Sequence, residues 1–414
     1  MEATFSSPTP ATAPFPFNKP IADVILRSYD HIDFYVRSAI LAEASPIFET
    51  MFTLPQPTTD SQDSKDGRAV IVVAEDSRTL ECLLRLCYPI TDPAITKLEE
   101  VVAVLSAAIK YEMEEAAALM KKELLSFAPR CPLKIWAIAC RMELEAVARS
   151  AATHLLGKSL DLSMEDMEGI SAGAYYRLRQ FHRKDGHVET NFTFCRPPEP
   201  MQAENTETPP STDCFMQPFS DIICRSSDGR DFPAHKVILS MASSVLRAKL
   251  AAPAEHGTDP SETDDGGSTE RCMTLDFDED SRTLAELLRL CYPGEETPTE
   301  HIPTVIAILK GAHKYGMDRH ISLVERQWTK IASAEPLRAY FVAQQFDLHQ
   351  CASDAAKRVL AIPIEESYVR EMETSSAYAY IRLLKYSKTY KDAIQTAIGS
   401  ERSLRCFLES MTDN

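Results

Sequence analysis

The sequence is short of positive charge. Its 44 lysines and arginines stand against 61 aspartates and glutamates, a net charge of −17. Such a chain repels nucleic-acid phosphates and anionic lipid, which argues against DNA, RNA or a membrane surface as direct partner. It also lacks any uninterrupted apolar run near the roughly 18 residues of a membrane span. The start, Met1-Glu2-Ala3-Thr4-Phe5-Ser6-Ser7-Pro8, has neither the basic region nor the apolar core of a secretion signal. Cys-x-x-Cys spacing is missing although there are 11 cysteines. Cys82, Cys87, Cys140, Cys291 and Cys351 fall inside apolar helical patterns and read as buried small hydrophobes in a reducing compartment, cytosol or nucleus.

Catalytic signatures are missing too. There is no Gly-x-Ser-x-Gly, P-loop, Gly-x-Gly-x-x-Gly, His-Glu-x-x-His or paired Cys/His metal spacing. His313 and His320 are seven apart, but Ile109 and Ala116 stand at the matching positions of the first half. His182 and His187 lie among Arg183, Lys184 and Asp185 and read as solvated. The expectation is no enzyme, no cofactor and no metal.

What is present is a duplication. At 414 residues the chain has room for two or more domains. Asp23–Phe52 aligns with Asp221–Leu250 at a constant offset of 198, with 11 of 30 pairs identical. Further on the offset becomes 204, and Glu75–Pro89 matches Glu279–Pro293 except at Glu81/Ala285 and Cys82/Glu286. The register then holds through Lys110-Tyr111/Lys314-Tyr315, Met113/Met317 and Pro132-Leu133/Pro336-Leu337. Ile170–Leu178 runs against Ser375–Leu383. The repeated unit therefore spans nearly 200 residues.

Each copy predicts the same elements. Val24-Ile25-Leu26 and Ile32–Val36 form a hairpin around Asp30-His31, which is Asp228-Gly229 in the second copy, a turn of the kind that favours positive φ. Ser45-Pro46 opens a helix with a capping oxygen and a proline at its first position. Ala69–Val73 and Met273–Phe277 read as short buried strands, and Asp76 and Asp280 as caps of the next helix. Val101, Val102, Val104, Leu105 and Ala108 match Val305, Ile306, Ile308, Leu309 and Ala312 as the core stripe of an amphipathic helix. Helical hairpins are expected after Pro132 and Pro336. The polar stretches Pro55–Arg68 and Pro253–Arg271 read as solvated loops.

Asp221-Ile222-Ile223-Cys224, Phe232-Pro233-Ala234-His235-Lys236-Val237-Ile238-Leu239, Leu290-Cys291-Tyr292 and Ala312-His313-Lys314-Tyr315-Gly316-Met317 together resemble the landmarks of a BTB/POZ domain. The first copy departs at Val36-Arg37-Ser38, where Arg37 stands in place of the histidine. The segments after each copy are similar to the helical extensions of many fungal BTB proteins. The resemblance implies an α+β fold, a small sheet against a helix cluster in each unit. It implies protein partners: dimerisation, oligomerisation or docking on a cullin-type ubiquitin-ligase scaffold. Asp23, Asp221, His235 and Lys236 are its motif residues, read as structural. Cullin-binding members carry an apolar-x-acid triplet near the helix after Leu-Cys-Tyr; Leu98-Glu99-Glu100 offers one, so Leu98 and Glu100 are the candidate contacts. The second copy has Ile302-Pro303-Thr304 there. Dimerising members have an extra helix and strand ahead of the core, which the Pro-rich start is not expected to supply.

The expected organisation is a disordered leader 1–20, BTB/POZ copies at 21–128 and 219–332, helical extensions at 129–186 and 333–405, a Pro-rich linker 187–218 and a tail 406–414. The two copies are expected to pair within one chain, or the chain to form homo-oligomers; the Pro-rich stretch Arg196–Pro218, about 23 residues, spans on the order of 25 Å. The expected function is a protein–protein interaction module, with a ubiquitin-ligase adaptor ahead of a self-associating scaffold or transcriptional co-regulator.

Overall fold

The computed structural model describes residues 10–54, 64–158, 160, 167–197, 220–251, 273–292 and 301–412, and the side chains of these except 319–320 and 399–412. It divides into two compact units, residues 1–167 with 181–196 and residues 168–180 with 197–414.

The first copy holds strands β1 (Ala11–Thr12), β2 (Val24–Arg27), β3 (Ile32–Val36), β4 (Ser64–Lys65) and β5 (Arg68–Val72). Its helices are α1 (Ser38–Ala44), α2 (Pro46–Thr53), α3 (Ser77–Cys87), α4 (Leu98–Lys110) and α5 (Glu114–Ser126), followed by α6 (Pro132–Arg141), α7 (Glu145–Thr153) and α8 (Ala172–Arg183). The second copy repeats the pattern with β6 (Ile222–Arg225), β7 (Asp231–Ala234), β8 (Met273–Asp276), α9 (Lys236–Ala242), α10 (Ser244–Ala251), α11 (Ser281–Cys291), α12 (Ile302–Lys314) and α13 (Asp318–Ala334). Its extension is α14 (Pro336–Gln345), α15 (His349–Val359) and the long α16 (Ala377–Thr412).

The sheets run β1-β3-β2-β5-β4 and β7-β6-β8. In each, the first hairpin is antiparallel and the later strand joins its inner edge in parallel, Ile25 opposite Val70 and Ile223 opposite Thr274. Side chains alternate along a strand, so one face of each sheet feeds the core: Val24, Leu26, Phe34 and Val36 are buried in one, Ile222, Cys224, Phe232 and Ala234 in the other, while Ile25 is buried on the opposite face of β2. The expected caps form. The Ser45 hydroxyl accepts the Phe48 N–H at 3.0 Å and donates to the Tyr111 carbonyl at 2.5 Å, and Ser243 repeats both bonds with Leu246 and Tyr315. Asp76 and Asp280 accept the Thr79 and Thr283 N–H groups at 2.8 and 2.7 Å.

Four expectations need correction. The hairpin turns do not use positive φ at both centre positions: only His31 and Gly229 adopt it. Asp30 and Asp228 instead turn their carboxylates to the start of the next helix, accepting Ser77 and Ser281 hydroxyls at 2.6 and 2.7 Å. The leader is ordered from residue 10: β1 lies parallel to β3, and Phe17 is buried against Phe34 and Tyr88. Burying that ring contributes about 2 kcal/mol, enough to hold a short Pro-rich segment. The start thus supplies an extra strand after all. The end of the first polar stretch is also structured, because Asp66-Gly67, both at positive φ, closes the β4–β5 hairpin. Residues 55–63, and the second stretch from 253 to 271, lie outside the described residues. Finally, Phe192–Cys195 of the expected linker pack on the first unit.

Candidate interaction surfaces

The motif residues sit where strand meets helix. Asp23, just ahead of β2, accepts the Ser38 N–H at 2.8 Å and its hydroxyl at 2.5 Å, so a carboxylate from the sheet caps α1. Burial pushes the Asp23 carboxyl up, but the Ser38 bonds outweigh it and hold it below the usual range. Asp221 accepts the Lys236 N–H at 2.8 Å, the same job for α9. The His235 N–H donates to the Tyr292 hydroxyl at 3.0 Å, and its ring Nδ1 lies 3.0 Å from the same oxygen. Arg37 keeps the backbone half of this arrangement, donating to Tyr88 at 2.8 Å. Loss of the histidine in the first copy therefore removes a side-chain contact and leaves the fold intact.

Leu98 opens α4 facing inward and is 8% exposed. Glu100, partly exposed, accepts from Arg78 at 3.2 Å and lies 3.9 Å from Lys97. The outward residue of the triplet is Glu99, which lies 3.5 Å from Lys134. In the second copy Ile302 and Thr304 are both buried.

An ion cluster repeated in both copies ties the later landmark to the segment that follows β5 and β8. Glu75 accepts from Lys110 at 2.8 Å and Tyr111 at 2.6 Å; Glu279 does the same with Lys314 and Tyr315 at 2.8 and 2.6 Å. The identical Glu…Lys-Tyr spacing was the signal for it in the sequence. The thiols Cys87, Cys224 and Cys291 are pushed up to about 12 by burial, which suits packing and not nucleophilic attack. Among the described residues no group of three or more His, Cys, Asp or Glu side chains could hold a metal ion, and no helix is long and apolar enough to cross a membrane.

The second unit contains a pairing that the repeat alone did not disclose. Ala172 N–H donates to Ser375 C=O at 2.8 Å, and Ala377 N–H donates to Ile170 C=O at 2.8 Å. Each bond is the other with duplicated residues exchanged, around an antiparallel bridge at Ser171 and Ser376. The duplicated Tyr175 and Tyr380 then meet edge to face at 6.0 Å. Asymmetric contacts lock the pair. Arg177 grips Glu373 with both nitrogens, Arg179 reaches Glu365 at 3.0 Å, and the Tyr176 hydroxyl donates to Glu366 C=O at 3.1 Å. The Glu373 carboxylate fills the space a side chain on Gly173 would need, 1.9 Å from an added Cβ. Tyr378 stands at the matching place of the other copy.

In the first unit, α8 ends where Gly186, at φ +79°, donates its N–H to Phe181 C=O at 2.9 Å. The chain turns back and Phe192 and Phe194 stack around Phe181, with ring distances of 6.3, 5.1 and 5.1 Å. Glu145 accepts the N–H groups of Phe194 and Cys195 at 2.9 and 3.0 Å, and the Arg149 guanidinium lies 5.8 Å from the Phe194 ring. Composition rich in Thr, Asn and His hid this segment.

A family model for the BTB/POZ domain matches residues 16–127 and 213–331, together more than half of the chain. No curated protein matches it. The matched spans contain the second sheet, the first sheet apart from β1, the helix caps and the Glu–Lys–Tyr clusters, and the chain belongs to the BTB/POZ domain family, with two copies in tandem.

Proposed function

We propose that the chain is a self-associating protein-interaction scaffold whose second BTB/POZ copy carries the docking face. One observation carries this reading. Val237 and Met241, one turn apart on α9, are 67% and 71% exposed. Two large apolar side chains side by side in water mark a surface that gains by being covered. The matching positions of α1 are Ala39 and Glu43, so α1 presents no such pair. Covering can come from the other copy in the same chain or from a second chain, and light scattering separates them. A homo-oligomer that Val237→Lys with Met241→Lys reduces to monomer supports association between chains. A monomeric wild type that the double variant leaves monomeric, with no change in hydrogen exchange at α1, removes the self-association reading.

The adaptor role is the second reading, and it rests on the acidic start of α4, where Glu99 is exposed beside Lys134 and Glu100 is partly exposed beside Arg78. With Leu98 buried, the acids and not the leucine would make that contact. A pull-down from cell lysate tests it: a cullin captured by wild type and lost with Glu99→Arg and Glu100→Arg establishes it.

A further inference from the structure

The two copies differ most where their extensions end. In the first, Phe192 and Phe194 cover the end of α8, and Phe181 is 3% exposed. In the second, α16 does not stop but runs on to Thr412. The alignment that pairs Tyr175 with Tyr380 sets Tyr386 on Phe181, and the offset of 204 sets His349 on Glu145, Cys351 on Val147 and Ser353 on Arg149. All four are more open than their counterparts. Tyr386 is 40% exposed, Cys351 is partly exposed where Val147 is buried, and His349 and Ser353 are exposed where Glu145 and Arg149 are half-buried. Tyr390, one turn further along α16, is exposed as well. At 100° per residue it extends the same stripe. Lys385 and Lys391, both exposed, flank the two tyrosines on either side. In a chain of net charge −17 this is a locally basic rim around an aromatic face.

We propose that the exposed Tyr386 and Tyr390 of α16, with the positions of α15 that align with the first copy's Glu145 and Arg149, bind an extended aromatic-x-aromatic segment of a partner protein with acidic residues beside the aromatics. The first copy shows the chemistry, since it covers the same place with its own Phe192-Thr193-Phe194. The lysine rim supplies the charge preference. The exchange of Glu145 for His349 removes the carboxylate that receives two backbone N–H groups, so the second copy's occupant forgoes that pair of bonds. This surface is separate from α9 and stands whether or not the chain self-associates.

The probe is a fluorescent, C-terminally amidated peptide copying residues 189–194, titrated into the full chain and read by anisotropy. Saturable binding is expected, weakened at least tenfold by Tyr386→Glu and lost when both peptide phenylalanines become alanine. Because Tyr386 is exposed, the variant keeps its circular dichroism. His349→Glu with Ser353→Arg restores the two polar partners of the first copy, and it should tighten this peptide at least fivefold. Binding indifferent to Tyr386→Glu would mean that the peptide had displaced Phe192 and Phe194 from the first copy, and the proposal falls. It falls equally if no binding is seen and Tyr386→Glu splits a dimer into monomers, which would give the face to a second copy of the chain. Absence of binding with no change of mass also overturns it.

Discussion

At three matched places the first copy is closed and the second is open. Asp33 is fully buried, held by Arg27 at 2.7 and 3.1 Å and by Lys65 of β4 at 2.7 Å. Asp231, at the same place, keeps the bidentate arginine, Arg225, but stands exposed. α1 shows water an alanine and a glutamate, while α9 shows it a valine and a methionine. Phe181 is roofed; Tyr386 is not. Duplication leaves two folds with one set of constraints, and each can then lose a different part of its cover. The internal differences therefore single out the surfaces proposed for binding more directly than either copy does alone.

The roof gives the largest test of that contrast. Phe194→Ala should cost about 3–4 kcal/mol of first-unit stability, in the range of buried aromatic truncations. Tyr386→Ala should cost under about 1 kcal/mol, since an exposed ring loses little on removal. Urea unfolding of the full chain, followed by hydrogen exchange at α7 and α15, reads the two separately. Equal costs would erase the distinction.

The aspartate pair comes next. Asp33→Ala leaves Arg27 and Lys65 without their acceptor and should cost about 1–2 kcal/mol, reduced because both cations keep part of their surface in water. Asp231→Ala should produce a much smaller fall in melting temperature. The pH dependence has a definite sign. Burial pushes Asp33 up, but the Arg27 and Lys65 hydrogen bonds prevail and hold its carboxyl below the usual range. A depressed folded-state value means that stabilisation is complete above the unfolded value, about 3.9. It is lost as pH falls through the lower folded value. Acid titration of wild type should thus show a loss below about pH 4 that Asp33→Asn lacks. An identical acid limb in both proteins would refute the pairing.

The smallest effect is one the copies should share. Ser45→Ala and Ser243→Ala each remove an N-cap and a bond to a tyrosine carbonyl, and each should cost about 1 kcal/mol. A large difference between the two would show that the caps have diverged as well.

Much of this was legible in the sequence, because local chemistry carried it. The duplication, the serine and aspartate caps and the stripes of α4 and α12 all follow from spacing within a few residues. β1 escaped notice because two residues of pairing leave no period to read, and because what anchors it is the distant ring of Tyr88. β4 was legible in retrospect, since Asp66-Gly67 is a hairpin signal set in a polar stretch. The pairing of Ile170–Ala172 with Ser375–Ala377 was visible as similarity but not as contact, for a repeat states what two segments share and not whether they touch. At the candidate sites, the apolar-x-acid pattern located Leu98 and Glu100 without revealing that the leucine faces the core. Val237 was read only as part of a motif and Met241 was not singled out, since their exposure depends on what packs around α9.

The central claim, that the second copy bears the interaction surface, is tested most directly by affinity capture from cell lysate with three forms of the full chain. These are wild type, a first-copy variant (Ala39→Lys, Glu43→Lys) and a second-copy variant (Val237→Lys, Met241→Lys, Tyr386→Glu). The account predicts the same partners for wild type and the first-copy variant, and their loss from the second-copy variant. Partners retained by the second-copy variant, or lost only from the first, would contradict it.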